Sequence, residues 1–137
     1  MSIRSLIVPG LALALAPSLA HASPVVLSAT LTGAAETGGG DPDGTGSFRA
    51  EIDPQAGDFC YTLKVANIEP ATMAHVHQGV AGSNAPPVIS IEVGEDTCIA
   101  VEPAKLEPIL ANPAGFYVNV HNAPHPAGAI RGQLARQ

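Results

Sequence analysis

The stretch AHVHQG, residues 74–79, does most to decide the fold and the chemistry of this chain. Read as a β-strand, it places His75 and His77 on the same face, because alternate residues of a strand point the same way. The segment YVNVH, residues 117–121, alternates in the same manner and carries His121. If the two strands lie side by side, three imidazoles converge on one patch. Three imidazoles are a suitable ligand set for a borderline transition metal.

Short segments of strand character continue outward from these two, separated by turns. The chain contains 14 Gly and 13 Pro in 137 residues, and their wide spread favours frequent turns over long helices. Residues 47–65 form a predicted hairpin around the turn at 53–57. The pattern indicates an all-β protein, a Greek-key two-sheet β-sandwich with one short helix near 104–111. The eight predicted strands are 25–32, taken as an edge strand, 47–52, 59–65, 71–78, 88–93, 97–101, 116–120 and 129–134.

Residues 1–22 have the pattern of a secretory signal peptide. Arg4 supplies a positive charge, an apolar run follows from Leu6 to Leu15, and Ala20-His21-Ala22 resembles a cleavage site. The run is too short and too interrupted to cross a bilayer of ~30 Å, although a retained anchor is the alternative. We expect one domain, residues 23–137, in a secreted or periplasmic protein without membrane attachment after cleavage.

The charge balance limits the classes of partner. Without Arg4, the six Lys and Arg fall to five against twelve Asp and Glu, which gives a formal net charge of −7 from Ser23 onward. An acidic domain is unsuited to nucleic acid and to anionic lipid surfaces. We therefore expect no nucleic-acid partner.

Two cysteines, Cys60 and Cys98, are separated by 37 residues. In an exported protein such a pair favours a disulfide. Closing a loop of this length contributes about 4 kcal/mol in the chain-entropy model. The alternative is that the thiolates bind a metal together with the histidines.

Three ordered motifs resemble the CHRD domain, which is named for chordin and also occurs in bacteria as single-domain secreted proteins. The likeness runs from Leu27 to Leu134, and the two cysteines occupy positions where bacterial members often carry a pair. It implies an extracellular β-sandwich and says more about the fold than about an activity. The motifs are AHVHQG at 74–79, PAGFYVNVH at 113–121 and PAGAIRGQL at 126–134.

A weaker likeness concerns the copper face of Cu/Zn superoxide dismutase, which is also a Greek-key sandwich. That enzyme uses an H-x-H strand pair, a later strand histidine and a nearby arginine, and His75, His77, His121 and Arg131 follow the same order. The histidine-rich zinc loop has no counterpart, because no histidine lies between residues 78 and 120. The likeness implies a mononuclear site at most and does not imply dismutase activity.

Four further residues are candidates for the surroundings of the histidines. Asn119 lies between Tyr117 and His121 on the histidine face and can orient an imidazole, while Tyr117 can stack on one. Arg131 has the opposite strand parity to its neighbour Ile130 and is expected in a polar pocket, paired with a carboxylate or with carbonyls. His125, in a proline-rich loop, is a fourth candidate ligand by proximity alone; the alternative is an exposed loop histidine.

Two functions follow from these residues. The first is an exported, non-catalytic protein that binds copper, or less favourably zinc, through His75, His77 and His121; mononuclear copper redox chemistry stays open. The second is an interaction module that binds an extracytoplasmic protein or a matrix polymer, with the histidines as a structural polar network. Nucleophilic catalysis lacks support, since no G-x-S-x-G motif is present.

Overall fold

The computed structural model describes residues 23–137, and the expected signal peptide at 1–22 lies outside them. Nine β-strands, one α-helix and two short 3₁₀ turns form within this range. No helix in the described part of the chain has the length and apolar character needed to cross a membrane. The elements are β1 Val25–Thr32, β2 Thr45–Asp53, β3 Asp58–Ala66, β4 Ala71–Gln78, β5 Pro87–Ile91, β6 Gly94–Ala100, α1 Pro103–Ala111, β7 Phe116–Asn122, β8 Ile130–Gln133 and β9 Ala135–Arg136.

The strands of residues 23–137 form one curled antiparallel sheet. Its order is β5-β4-β7-β8-β1-β2-β3-β6, and β9 pairs with β1. The sheet curls so that apolar side chains from strands at both ends of its order, β4 and β5 at one end and β2 and β3 at the other, pack into a single core. At the open side, the backbone N–H of Glu92 donates a hydrogen bond to Tyr61 Oη at 2.9 Å. The all-β class and the short helix are confirmed, whereas the two-sheet Greek-key sandwich is not.

Most predicted strands form close to their expected bounds. The β2–β3 hairpin is paired along its whole length, from Asp53 opposite Asp58 to Thr45 opposite Ala66. The prediction that β1 is an edge strand is wrong, because β2 pairs with it on one side and β8 and β9 on the other. Those two partners come from the far end of the chain, which a local pattern does not reveal.

The core lies inside the curl and is closed by α1. Phe48, Phe59 and Tyr61 pack together on β2 and β3, with ring centroids 5.6–6.3 Å apart. The helix begins at Pro103, where a missing N–H costs nothing, and it buries three side chains against the sheet. These are Leu106, Ile109 and Leu110.

The two cysteines form the expected disulfide. Cys60 of β3 lies directly opposite Cys98 of β6, with the Cα atoms 4.0 Å apart and the sulfur atoms 2.10 Å apart. The bond ties the edge strand β6 to the hairpin. Both sulfurs are used in this bond, so neither is a thiolate ligand in this structure.

Candidate metal centre

The register of β4 against β7 brings the histidines together. His75 lies opposite Asn119 and His77 opposite Tyr117, while Met73 lies opposite His121. Directly opposed residues of an antiparallel pair share a face, so all of these side chains stand on the side away from the core. On the other side of β7, Arg131 of β8 lies opposite Asn119. We call this the polar face, and it comprises His75, His77, Tyr117, Asn119, His121 and Arg131.

Three imidazoles converge on the polar face, as the alternation predicted. His75, His77 and His121 each offer one ring nitrogen, and these atoms lie within 4.8 Å of one another. His75 Nδ1 and His121 Nε2 are 3.3 Å apart. His77 and His121 are buried, and His75 is partly buried.

Backbone carbonyls determine which nitrogen carries the proton in two of the rings. His77 Nδ1 lies 2.7 Å from the carbonyl of Ala85, and His121 Nδ1 lies 2.9 Å from that of Pro126. Because a carbonyl only accepts, Nδ1 is the donor in each case. In the neutral rings, Nε2 of His77 and of His121 therefore carries a lone pair.

The lone pair of His77 is buried without compensation. Within residues 23–137, His77 Nε2 is the buried side-chain nitrogen or oxygen that has no hydrogen-bond partner. Leaving a buried acceptor unpaired costs about 1–3 kcal/mol. His121 Nε2, by contrast, can accept from His75 Nδ1, or both atoms can face a shared cation. A cation between the rings would satisfy all three nitrogens.

Burial favours the neutral form of two of the imidazoles. Desolvation is the main cause that lowers the pKa of His75 below its ordinary value of 6.5, and the neighbouring His121 adds to it. Desolvation also lowers the pKa of His77, partly opposed by its bond to Ala85. Neutral imidazole is the form that binds a metal, so the lowered pKa values favour the ligating form of His75 and His77.

Tyr117 stands between the histidines and Arg131. Its ring stacks on His77 with centroids 4.7 Å apart and planes within 2° of parallel. The Arg131 guanidinium carbon lies 4.5 Å from the centroid of the same ring. His77 of β4 and Arg131 of β8 contact Tyr117 from the two strands that flank β7. The stacking contact with Tyr117 helps to fix the orientation of the His77 ring.

Arg131 is held by a buried carboxylate and by the loop between β4 and β5. Its Nε donates to Glu36 Oε2 at 2.7 Å, its Nη1 to the carbonyl of Ser83 at 2.9 Å, and its Nη2 to Asn84 Oδ1 at 3.0 Å. Both kinds of partner expected from the sequence, a carboxylate and a carbonyl, are present. Asn119 Nδ2 donates to Glu36 Oε1, so its amide supports the carboxylate and not an imidazole.

Comparison with protein-family models matches residues 27–134 to the CHRD domain. The chain belongs to the CHRD-domain family. No curated protein and no solved structure matches it. The matched range runs from β1 to the residue after β8, so every residue of the polar face belongs to the CHRD domain.

Sequence reasoning missed Glu36, which the CHRD domain buries against Asn119 and Arg131 of the polar face. The carboxylate fits only because Gly128 has no side chain, since a Cβ there would lie 2.5 Å from Glu36 Cδ. Gly128 also has a φ of 145°, which disfavours other residues. The available signal was Arg131 itself, because an inward arginine needs a carboxylate. Its partner lies 95 residues away in a glycine-rich loop, where nothing local marks it.

His125 does not join the three-histidine cluster of this CHRD domain. Its Nε2 lies 4.0 Å from Asp41 Oδ2. Its backbone N–H donates to Asn122 Oδ1 at 2.9 Å, and its carbonyl accepts from Gly128 at 3.1 Å. These bonds fold the loop that presents the Pro126 carbonyl to His121. His125 therefore belongs to the loop that supports the cluster.

Proposed function

We propose that this CHRD-domain protein is exported and binds one transition-metal ion, with copper favoured over zinc, through His75, His77 and His121, without catalysing a reaction. The observation that carries the proposal is the orphaned Nε2 of His77 within a group of three imidazole nitrogens. A buried acceptor without a partner is costly in a protein that never fills the site. A bound cation removes that cost.

The geometry and the donor set suit a small divalent ion. Two nitrogens 3.3 Å apart, as in His75 and His121, subtend roughly a tetrahedral angle at an ion ~2.0–2.1 Å from each. The carbonyls of Ala85 and Pro126 accept from the Nδ1–H groups of His77 and His121, which is the usual way in which ligating histidines are oriented. Imidazole suits copper and zinc, and the stability order of divalent ions places Cu(II) above Zn(II).

Export is supported by two independent features. The first is the signal-peptide pattern of residues 1–22. The second is the disulfide between Cys60 and Cys98, since such bonds persist mainly in oxidising compartments. In that setting the acidic surface also attracts cations.

The alternative function is a protein- or matrix-interaction module with internal histidines. The contact between His75 Nδ1 and His121 Nε2 favours it, because a neutral His75 that donates to His121 satisfies both atoms without an ion. This network still leaves His77 Nε2 unpaired. The two functions therefore differ in what removal of a histidine does to metal binding.

Metal titration of the processed protein tests the proposal. Wild type is expected to bind one equivalent of Cu(II), more tightly than Zn(II). His75→Ala and His121→Ala are expected to weaken binding by more than the ~10–100-fold that loss of a supporting partner costs. His125→Ala serves as the matched control and is expected to bind as wild type does. Equally weak binding by wild type and all variants would leave the polar network as the explanation of the cluster.

A further inference from the structure

Met73 occupies a position on the polar side of β4 that the histidine cluster alone does not explain. It is the only methionine of the chain after Met1, and 53% of its surface is exposed although it lies within a strand. We infer that the Met73 thioether is a further ligand at the histidine site and makes it selective for Cu(I). This inference rests on the proposed function.

The register places Met73 beside two of the histidines. It precedes His75 by two residues on the same strand, so both side chains stand on one face. It also lies directly opposite His121 of β7. Opposed residues of this kind have Cβ atoms about 4.5–5.5 Å apart. The unbranched Met side chain has three rotatable bonds, which allow the sulfur to reach toward a shared ion.

The cluster has its partly exposed member, His75, on the side where Met73 lies. His77 is enclosed by Tyr117, on which it stacks, and by the loop carbonyl of Ala85. His75, in contrast, is partly exposed and lines the same surface depression as Met73. An ion held by the three imidazoles would therefore have its free coordination position toward that depression, where Met73 is the soft donor.

The donor chemistry gives the selectivity. Thioether sulfur is a soft, uncharged ligand that favours Cu(I), whereas imidazole accepts Cu(II) and Zn(II) as well. Three imidazoles and one thioether make a neutral four-donor set. Loss of the sulfur is therefore expected to weaken Cu(I) binding selectively and to leave the imidazole contribution to Cu(II) binding in place.

The experiment compares wild type with Met73→Leu, which preserves the size and apolar character of the side chain. Cu(I) affinity is measured without oxygen by competition with a chromophoric Cu(I) chelator. Ascorbate is the reductant, so that the Cys60–Cys98 disulfide stays intact and contributes no thiolate. Val93→Leu, at another exposed apolar residue, is the matched control. We expect Met73→Leu to lower Cu(I) affinity at least ~10-fold and to change Cu(II) affinity far less.

X-ray absorption spectra of the Cu(I)-loaded proteins give a second readout. A copper–sulfur distance is expected in wild type and Val93→Leu and is expected to be absent in Met73→Leu. If Met73→Leu matches wild type in Cu(I) affinity and neither shows copper–sulfur scattering, the thioether is not a ligand. His121→Ala then decides the proposed function separately, because it loses binding of both copper ions if the histidine site is correct. Failure of wild type to bind copper at all overturns both.

Discussion

The face that points away from the core differs between the two halves of the curled sheet. The histidine half comprises β5, β4, β7 and β8, and the hairpin half comprises β1, β2, β3 and β6. Along β2, positions alternate between buried and exposed from Ser47 to Ile52, so the face away from the core meets solvent. Along β7, all seven residues are buried, because loops cover the outer face as well. Polar side chains on a covered face need partners within the protein, and among residues 23–137 His77 Nε2 is the buried side-chain atom that still lacks one. The histidines, Asn119 and Arg131 of the histidine half therefore depend on specific hydrogen-bond partners, whereas the exposed polar residues of the hairpin half can bond to water.

The same contrast appears in the ion pairs of the two halves. Arg49 and Glu51 of β2 pair at 2.8 Å with half of each side chain exposed. Arg131 and Glu36 pair at 2.6 Å with side-chain exposures of 5% and 3%. Exposed pairs contribute little to stability, while a buried pair becomes essential once it is formed, since neither charge tolerates isolation.

The largest expected effect comes from removing one carboxylate of each pair. Glu36→Ala leaves Arg131 buried without its counter-charge and is expected to lower the free energy of unfolding by about 3–5 kcal/mol. Glu51→Ala, the matched change on the solvent face, is expected to cost at most ~1 kcal/mol. Urea unfolding followed by circular dichroism measures both. Equal losses in the two variants would show that enclosure makes no energetic difference.

A smaller effect is expected from adding a single methyl group beside Glu36. Gly128→Ala places a Cβ 2.5 Å from the Glu36 carboxyl carbon at a φ of 145°, so either the loop or the carboxylate must move. We expect a loss of about 1–3 kcal/mol in thermal or urea unfolding.

Gly38→Ala is the control for this change. A Cβ at Gly38 meets nothing within 4 Å, and the glycine belongs to the loop that follows Glu36. Its stability is expected to stay within about 0.5 kcal/mol of wild type. A Gly128→Ala protein as stable as Gly38→Ala would mean that Glu36 is not confined as described.

The smallest expected effect is a pH dependence that belongs to the histidine half alone, since the hairpin 45–66 contains no histidine. Burial lowers the pKa of His75 and His77 in the folded protein, so the unfolded chain takes up their protons first as pH falls. The metal-free protein should therefore keep this stability above about pH 6.5 and lose it on acidification below that value. Urea unfolding from about pH 7 to about pH 5, with a chelator present, measures the loss.

The double variant His75→Gln/His77→Gln removes both groups and is expected to flatten this acid-side loss. His125→Gln, outside the cluster, is expected to retain it. If the double variant shows the same dependence as wild type, the acid-side loss comes from other groups.

Much of the fold was accessible from the sequence because its signals are local. The alternation in residues 71–78 and 116–120 predicted both strands of the histidine face, and the register between them then placed the three imidazoles together. The hairpin and the short helix carry their own turn and proline signals, and they form where expected. The disulfide was predicted from the two cysteines and the expected compartment, and it joins the neighbouring strands β3 and β6.

What the sequence did not reveal depends on pairings between distant segments. The order of strands is one case, since β1 joins β8 and β9 across most of the chain. Glu36 is another, because a loop carboxylate acquires its role only when Arg131 and Asn119 arrive from two other strands. The carbonyls of Ala85 and Pro126 that orient the imidazoles are backbone atoms, which no side-chain pattern can mark. Asn119 lies on the histidine face as expected, but its amide donates to Glu36 and not to an imidazole.

The Glu36–Arg131 bond also sets the order in which the molecule can mature. Its two ends are separated by 95 residues, and β8 follows β1 through β7 along the chain. A growing polypeptide that lacks Arg131 has Glu36 and Asn119 but cannot enclose them. Closing a contact of such long separation costs more chain entropy than closing a hairpin such as β2–β3. The pocket around the three imidazoles therefore needs a chain synthesised through β8, and only such a chain offers an ion the finished binding site, whereas the hairpin needs residues 45–66 alone.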